Sequence, residues 1–113
     1  MIFFKSVVDS KTGSTIYFEA IENDELCGKC KLVINGNRAD VSEIKCDNIS
    51  QYIVEGLIKS AFNYACLKNC YMGYCQSDDF SFLLDRMNFI KADGVYYNDI
   101  PSILQGNCCK KQG

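Results

Sequence analysis

Apolar and polar positions alternate along the first half of the chain and give way to a helical period in the second. Residues 2–8 are rich in β-formers, residues 9–13 carry turn residues, and over 14–21 Ile16, Phe18 and Ala20 alternate with Thr15, Tyr17 and Glu19. This pattern predicts a hairpin. A second turn at Glu22, Asn23 and Asp24 leads into residues 25–34, where Leu26, Cys30, Leu32 and Ile34 share one face with Gly28. Asn35, Gly36 and Asn37 give a further hairpin signal, because Asn and Gly tolerate positive φ. The next strand, 38–46, changes phase partway. Ala39 and Val41 are odd-numbered and Ile44 and Cys46 even-numbered, so keeping both pairs on the core face requires one extra residue, a β-bulge, near Ser42 and Glu43.

Residues 50–67 contain no Pro and one Gly. Ile53, Leu57, Ala61, Tyr64 and Ala65 recur at helical spacing beside Val54 and Ile58, which predicts an amphipathic helix with a wide buried face. Asp47, Asn48 and Ser50 are the candidate caps for its start. A short strand follows over 71–75. Ser77 offers a cap for a second helix over 78–87, with Asp78 and Asp79 at the positive end of its dipole and Phe80, Leu83, Leu84 and Met87 as a core stripe. Asp93 and Gly94 join 89–92 to 95–98 in a final hairpin, and Pro101 opens a short helical turn to Leu104. The order is four strands, a helix, a strand, a helix and a hairpin: an α/β (α+β) fold with a mixed, mostly antiparallel sheet, a bulged strand and two main helices.

The chain has 113 residues, 48% of them hydrophobic, which suits one domain over residues 1–104 with a polar tail over 105–113. Twelve Lys and Arg stand against fourteen Asp and Glu, for a formal charge of -2, so no basic face marks nucleic acid as a partner. Residues 1–8 lack the features of a signal peptide, and no stretch approaches the length of a membrane helix. A soluble, cytoplasmic protein with no membrane partner is expected.

The chain is cysteine-rich, with eight Cys, and has no His. Without His there is no mixed Cys/His zinc site and no Ser-His or Cys-His catalytic pair, so an acid or base must come from Asp, Glu, Tyr, Cys, Lys or a terminus. Cys27 and Cys30 form a Cys-x-x-Cys pair that invites a zinc or redox reading. Residues three apart on a regular strand point to opposite faces, so the pair needs a turn at Gly28 and Lys29 to converge, and no second pair has ligand spacing. Reduced, metal-free thiols are therefore the expectation, with Cys108 and Cys109 in the tail.

The order of elements, with a bulged strand feeding the central helix, resembles the GNAT superfamily of N-acetyltransferases, as a short and divergent member. Leu57-Ile58 followed by Tyr64-Ala65 is similar to the Leu-Leu and Tyr-Ala stretch of that family's cofactor helix. Leu83-Leu84-Asp85-Arg86-Met87-Asn88-Phe89 is similar to its Phe-Tyr-Glu-Lys-x-Gly-Phe signature. The resemblance covers roughly residues 14–100, and the helices that usually follow the family's first strand are missing. It implies that the bulged strand and its neighbour splay apart to admit acetyl-CoA or coenzyme A. The cofactor site it implies takes in Ile44, Cys46, Gln51, Tyr52, Ile53, Val54, Glu55 and Gly56, with backbone amides before the central helix receiving the pyrophosphate.

The sequence departs from the family at informative places. Tyr52 and Val54 stand at the two loop glycines; a second alignment runs from Gln51 to Gly56 and still has Val54 at the first glycine. Side chains there crowd the phosphates, so weak binding is expected. The family's common Tyr falls on Leu84 and its Asn on Ser77. Glu43, at the expected bulge, is the one carboxylate placed to take a proton from an amine, against the plainer reading of a solvent-facing strand residue. Tyr71, Tyr74, Tyr96 and Tyr97 are alternative acids or else packing residues. The resemblance implies acyl transfer to a small-molecule amine or peptide; the alternative is a non-catalytic binding or dimerisation module, including a homodimer.

Overall fold

The computed structural model describes residues 2–9, 11, 13–46, 50–76 and 80–104. In chain order the elements are β1 (Ile2–Val8), β2 (Thr15–Glu22), β3 (Glu25–Asn35), β4 (Arg38–Cys46), α1 (Gln51–Leu67), β5 (Met72–Cys75), α2 (Ser81–Arg86), β6 (Ile90–Ala92), β7 (Val95–Asp99) and α3 (Ile100–Ile103). The strands form one sheet in the order β1-β2-β3-β4-β5-β7-β6. Its pairings are antiparallel apart from β4 with β5, which run parallel across the α1 crossover. The expected order of elements is the observed one, with α3 added as the short helical turn at Pro101.

The turns that set the strand register are those marked by Asn, Asp and Gly. Asn23 and Asp24 have φ of 54° and 65°, Gly36 has 63°, and Asp93 and Gly94 have 53° and 78°. These are the mirror-image hairpin turns whose twist matches that of the strands. At the junction of β1 and β2 the Asp9 amide donates to the Thr15 carbonyl at 2.8 Å and the Gly13 amide to the Asp9 carbonyl at 2.9 Å.

Helix α1 starts at Ser50, whose Oγ accepts from the Ile53 amide at 3.4 Å. Asp47 and Asn48, the other candidate caps, lie outside the described residues. One stripe of α1, Ile53, Val54, Leu57, Ile58, Ala61, Phe62 and Ala65, is buried against β2, β3 and β4. Ile16, Phe18, Leu32, Ala39 and Val41 complete the core from the sheet. Gly73 brings β5 close to two helices at once, since a Cβ there would lie 2.7 Å from Phe62 and 2.9 Å from Ile103, so α1 and α3 share this face. Asp99 caps α3 with an Oδ2 that accepts from the Ser102 amide at 2.9 Å.

Two expectations need correction. Leu26 does not share the core face of β3: it is 49% exposed. Ala20 pairs with Gly28 but Ile21 with Leu26, so Cys27 is an extra residue that turns Leu26 to the opposite side. The second helix is described as Ser81–Arg86, shorter than 78–87. Phe80 precedes it without a side-chain cap, and Ser77, Asp78 and Asp79 lie outside the described residues, as does the tail from 105 to 113. Its stripe behaves as core, with Leu83, Leu84 and Met87 buried. No helix among the described residues is long and apolar enough to cross a membrane.

Candidate functional site

The middle of the sheet opens where β4 outruns β5. The two strands pair from Arg38 with Met72 to Val41 with Cys75, where β5 ends while β4 continues to Cys46. Among the described residues the ladder between β4 and β5 therefore stops at Val41. The expected bulge sits at this point. Lys31 pairs with Ser42 but Lys29 with Lys45, so Glu43 and Ile44 together oppose Cys30, and Glu43 has φ of 51°. That left-handed backbone is uncommon for a residue with a side chain.

The bulge sends adjacent side chains to opposite faces. Ile44 and Cys46 are half-buried and pack on the core, on the side of α1. Glu43 points the other way, 61% exposed, with its Oε2 3.4 Å from Lys31 Nζ. Two of the residues expected at the cofactor thus lie on the helix side of the gap, and the expected base on the open side.

The first turn of α1 lies on from the gap, beyond residues 47–49, which are outside the described set. Tyr52 is 72% exposed, whereas Ile53 and Val54 are buried in the core. The bulk expected to crowd a phosphate is therefore confined to Tyr52, because Ile53 and Val54 turn inward. Helix geometry leaves the Gln51 and Tyr52 amides without an intrahelical acceptor. Glu55 accepts from Lys59 at 2.8 Å and from Arg86 at 3.3 Å, tying α1 to α2. The hydrogen bond from Lys59 is the main reason its carboxyl lies below the usual range, with the two positive charges adding to it. Gly56 is explained by packing, since a Cβ there would fall 2.1 Å from the Phe4 ring. Tyr52, Glu55 and Gly56 line one hollow of about 180 Å³ with Phe4 and Lys59.

The tyrosines are spread out. Tyr96 is buried, Tyr71 is exposed, and Tyr74 stacks on Tyr97 at 6.1 Å with the Arg38 guanidinium 3.9 Å from the Tyr74 ring. Leu84, at the place of the family's Tyr, is fully buried. Cys30 and Cys75 are also buried; burial pushes each thiol up to about 12, and for Cys30 the neighbouring Cys75 adds to the effect. Such thiols stay protonated and are poor nucleophiles. Gly28 and Lys29 lie inside β3 rather than in the turn the pair was expected to need, and although the bulge leaves Cys27 packed against the core, its Sγ donates to the Ala20 carbonyl at 3.3 Å. Among the described residues no group of three Cys, Asp or Glu side chains is placed to hold a metal ion.

One feature escaped the sequence reading. Tyr17, Lys29, Lys31, Glu43 and Lys45 meet around a cavity of about 60 Å³ on the open face. Lys29 and Lys31 share a face by alternation, and that much is legible. Placing Lys45 opposite Lys29 needs the register across the bulge.

No protein-family model and no curated protein matches the sequence. Solved structures do match the fold. The ribosomal-protein-S18-alanine N-acetyltransferase from Escherichia coli superposes with a TM-score of 0.74 at 10% identity, over 88% of this chain and 94% of that one. An N-acetyltransferase from Staphylococcus aureus Mu50 gives 0.70 at 16% identity, over 88% and 98%. The PaiA N-acetyltransferase from Thermoplasma acidophilum, solved in complex with coenzyme A, gives 0.62 at 14% identity, over 77% and 60%. At these identities the likeness is one of fold, and the fold is that of the GNAT N-acetyltransferases.

Proposed function

We propose that the chain is an acyl-CoA-dependent N-acyltransferase that acts on a primary amine, with the β4 gap as its reaction site. The observation that carries this reading is the bulge at Glu43 and Ile44, immediately beyond the last β4–β5 pair. It joins the end of the β4–β5 ladder to an exposed carboxylate, and the two answer to the two halves of the reaction. Coenzyme A, when bound, supplies the acyl group as a thioester. The chain's residues fit it on two counts: the gap has half-buried Ile44 and Cys46 on its helix side, and the inward turn of Ile53 and Val54 clears most of the side-chain bulk from the first turn of α1. Glu43 takes the proton that an ammonium must lose before it attacks, and its exposure gives an acceptor direct access to it.

Leu84 favours a second reading. A buried leucine cannot protonate a departing thiolate, and unless a tyrosine such as Tyr74 or Tyr97 supplies the proton, a protein without that acid is either dependent on solvent for it or a non-catalytic binding module. Calorimetric titration of acetyl-CoA into the purified protein separates the two. Binding, together with amine acetylation that falls at least tenfold in Glu43→Gln, is the expected result. A folded protein that binds neither acetyl-CoA nor coenzyme A would establish the module instead.

A further inference from the structure

The open face of the sheet concentrates positive charge in a protein that is acidic overall. Fourteen Asp and Glu outnumber twelve Lys and Arg, yet Lys29, Lys31 and Lys45 converge beside the bulge. The register makes this costly. Lys29 and Lys45 are direct cross-strand partners, an arrangement in which like charges repel, and Lys31 is the next residue on the same face of β3. Across the strand on its other side Lys29 meets Glu19, but Glu19 is held by Lys5 at 3.8 Å. The Lys29 ammonium lies 5.1 Å from the Tyr17 ring centre, and Lys31 reaches Glu43 at 3.4 Å.

The like-charged pair borders two hollows. One, of about 60 Å³, adds Tyr17, Lys31 and Glu43; the other, of about 170 Å³, adds Leu26 and Gly28. The bulge at Cys27 is what puts Leu26 on this face. A charged hollow beside an apolar one, both touching Lys29 and Lys45, suits a ligand with anionic oxygens on a short carbon frame.

We propose that Lys29, Lys31 and Lys45 form an anion pocket that holds the carboxylate of an acidic amine, the acceptor of the acyl group, beside Glu43. The assignment of the amine as acceptor rests on the acyl-transfer reading; the anion pocket does not. An acceptor carboxylate bridging Lys29 and Lys45 offsets their repulsion. If it also engages Lys31, it draws that ammonium off Glu43, leaving the Glu43 carboxylate to receive the acceptor's ammonium. The exchange costs little because the Lys31–Glu43 pair is long and exposed.

The test is an amide-shift NMR titration of the full chain at low salt with three probes: the dipeptide glutamyl-glutamate, the C-terminal amide of glutaminyl-glutamine, which keeps the amino terminus but has no carboxylate, and inorganic phosphate. Glutamyl-glutamate is expected to shift the amides of β3 and β4 around Lys29, Lys31 and Lys45, and the carboxylate-free dipeptide amide to leave them unchanged. The double variant Lys29→Glu, Lys45→Glu should weaken binding at least tenfold, and 0.5 M salt should do the same. Lys29→Gln with Lys45→Gln, which adds no negative charge, should show the same direction in case the reversal unfolds the chain. Equal binding of glutamyl-glutamate and the carboxylate-free dipeptide amide would overturn the pocket. Phosphate binding as tightly as glutamyl-glutamate would overturn the acceptor assignment, since a simple anion would then suffice. Acetyl-CoA is titrated separately. If it binds and the acidic dipeptide does not, the inference fails and the acyl-transfer reading stands; if the dipeptide binds and acetyl-CoA does not, that reading fails while the anion pocket stands.

Discussion

The same three strands, β2, β3 and β4, present two faces built from alternate residues. Toward α1 they send Ile16, Phe18, Cys30, Leu32, Ala39 and Val41, all buried. Away from it they send Tyr17, Lys29, Lys31, Glu43 at the bulge and, beyond it, Lys45. Period-two alternation makes the two faces chemically independent, so one can be held by packing while the other carries charges that packing would not tolerate. The bulge is the exception, because one inserted residue changes both faces at once.

The sharpest contrast is between two leucines of β3. Leu32→Ala is expected to cost about 2–5 kcal/mol, as truncations in a closed core do. Leu26→Ala, on the open face and 49% exposed, should change stability by no more than about 0.5 kcal/mol. Urea unfolding of both variants checks this. Equal losses would mean that something covers the open face, and the comparison would break.

The leucines also mark the limit of what the sequence discloses. The bulge in β4 is legible because Ala39 and Val41 change phase with Ile44 and Cys46 against polar neighbours. The bulge at Cys27 is not, because Leu26 and Cys27 are both apolar and Gly28 has no side chain to declare a face. The hairpins were readable from Asn, Asp and Gly at their turns, and α1 from its period. At the site, Glu43 was placed by the phase change, whereas the inward turn of Val54 and the packing role of Gly56 required the position of Phe4 and the core. The lysine pocket was hidden for a related reason: the pairing of Lys29 with Lys45 is a product of register, which no single strand contains.

The buried face should also fail first at high pH. Cys30 and Cys75 are raised from 9.0 to about 12, chiefly by burial, so the folded state keeps both protons while the unfolded chain begins to lose its own. Their contribution to stability is full below pH 9, is lost progressively above it, and is gone by about pH 12. The gap converts to at most about 4 kcal/mol per thiol. Urea midpoints measured in reductant between pH 8 and 10.5 should fall with pH, and Cys30→Val or Cys75→Val should flatten the slope relative to the unmodified protein. A slope unchanged in both variants would show that other groups control the alkaline limb.

Gly56 tests the packing of β1 on α1. Gly56→Ala places a methyl against the tip of the Phe4 ring, which must move, and with about 1 kcal/mol of helix propensity gained in return the net destabilisation should be up to about 2 kcal/mol. Shortening the ring to Phe4→Leu should recover part of that loss in the double variant, a coupling that thermal unfolding of the four proteins would measure. Additive losses would show that Phe4 does not account for the glycine.

The smallest effect expected is at Tyr52, where the proposed cofactor site differs from the loop of the GNAT enzymes that the sequence resembles. With Ile53 and Val54 turned into the core, Tyr52 is the bulkiest exposed side chain in the first turn of α1 and the one most able to obstruct a phosphate. Val54→Gly is a poor test, because it strips a fully buried side chain from the helix start. Tyr52→Gly removes an exposed ring at a helical cost of about 1 kcal/mol. If the ring crowds the pyrophosphate, its removal should tighten acetyl-CoA binding about three- to tenfold, less than about 1.4 kcal/mol of affinity. Calorimetry on both proteins, with their unfolding temperatures measured alongside, reads this directly. Weaker binding by Tyr52→Gly would identify the ring as a contact for the cofactor, and unchanged binding would place it clear of the phosphates; either result removes crowding as the reason for weak affinity.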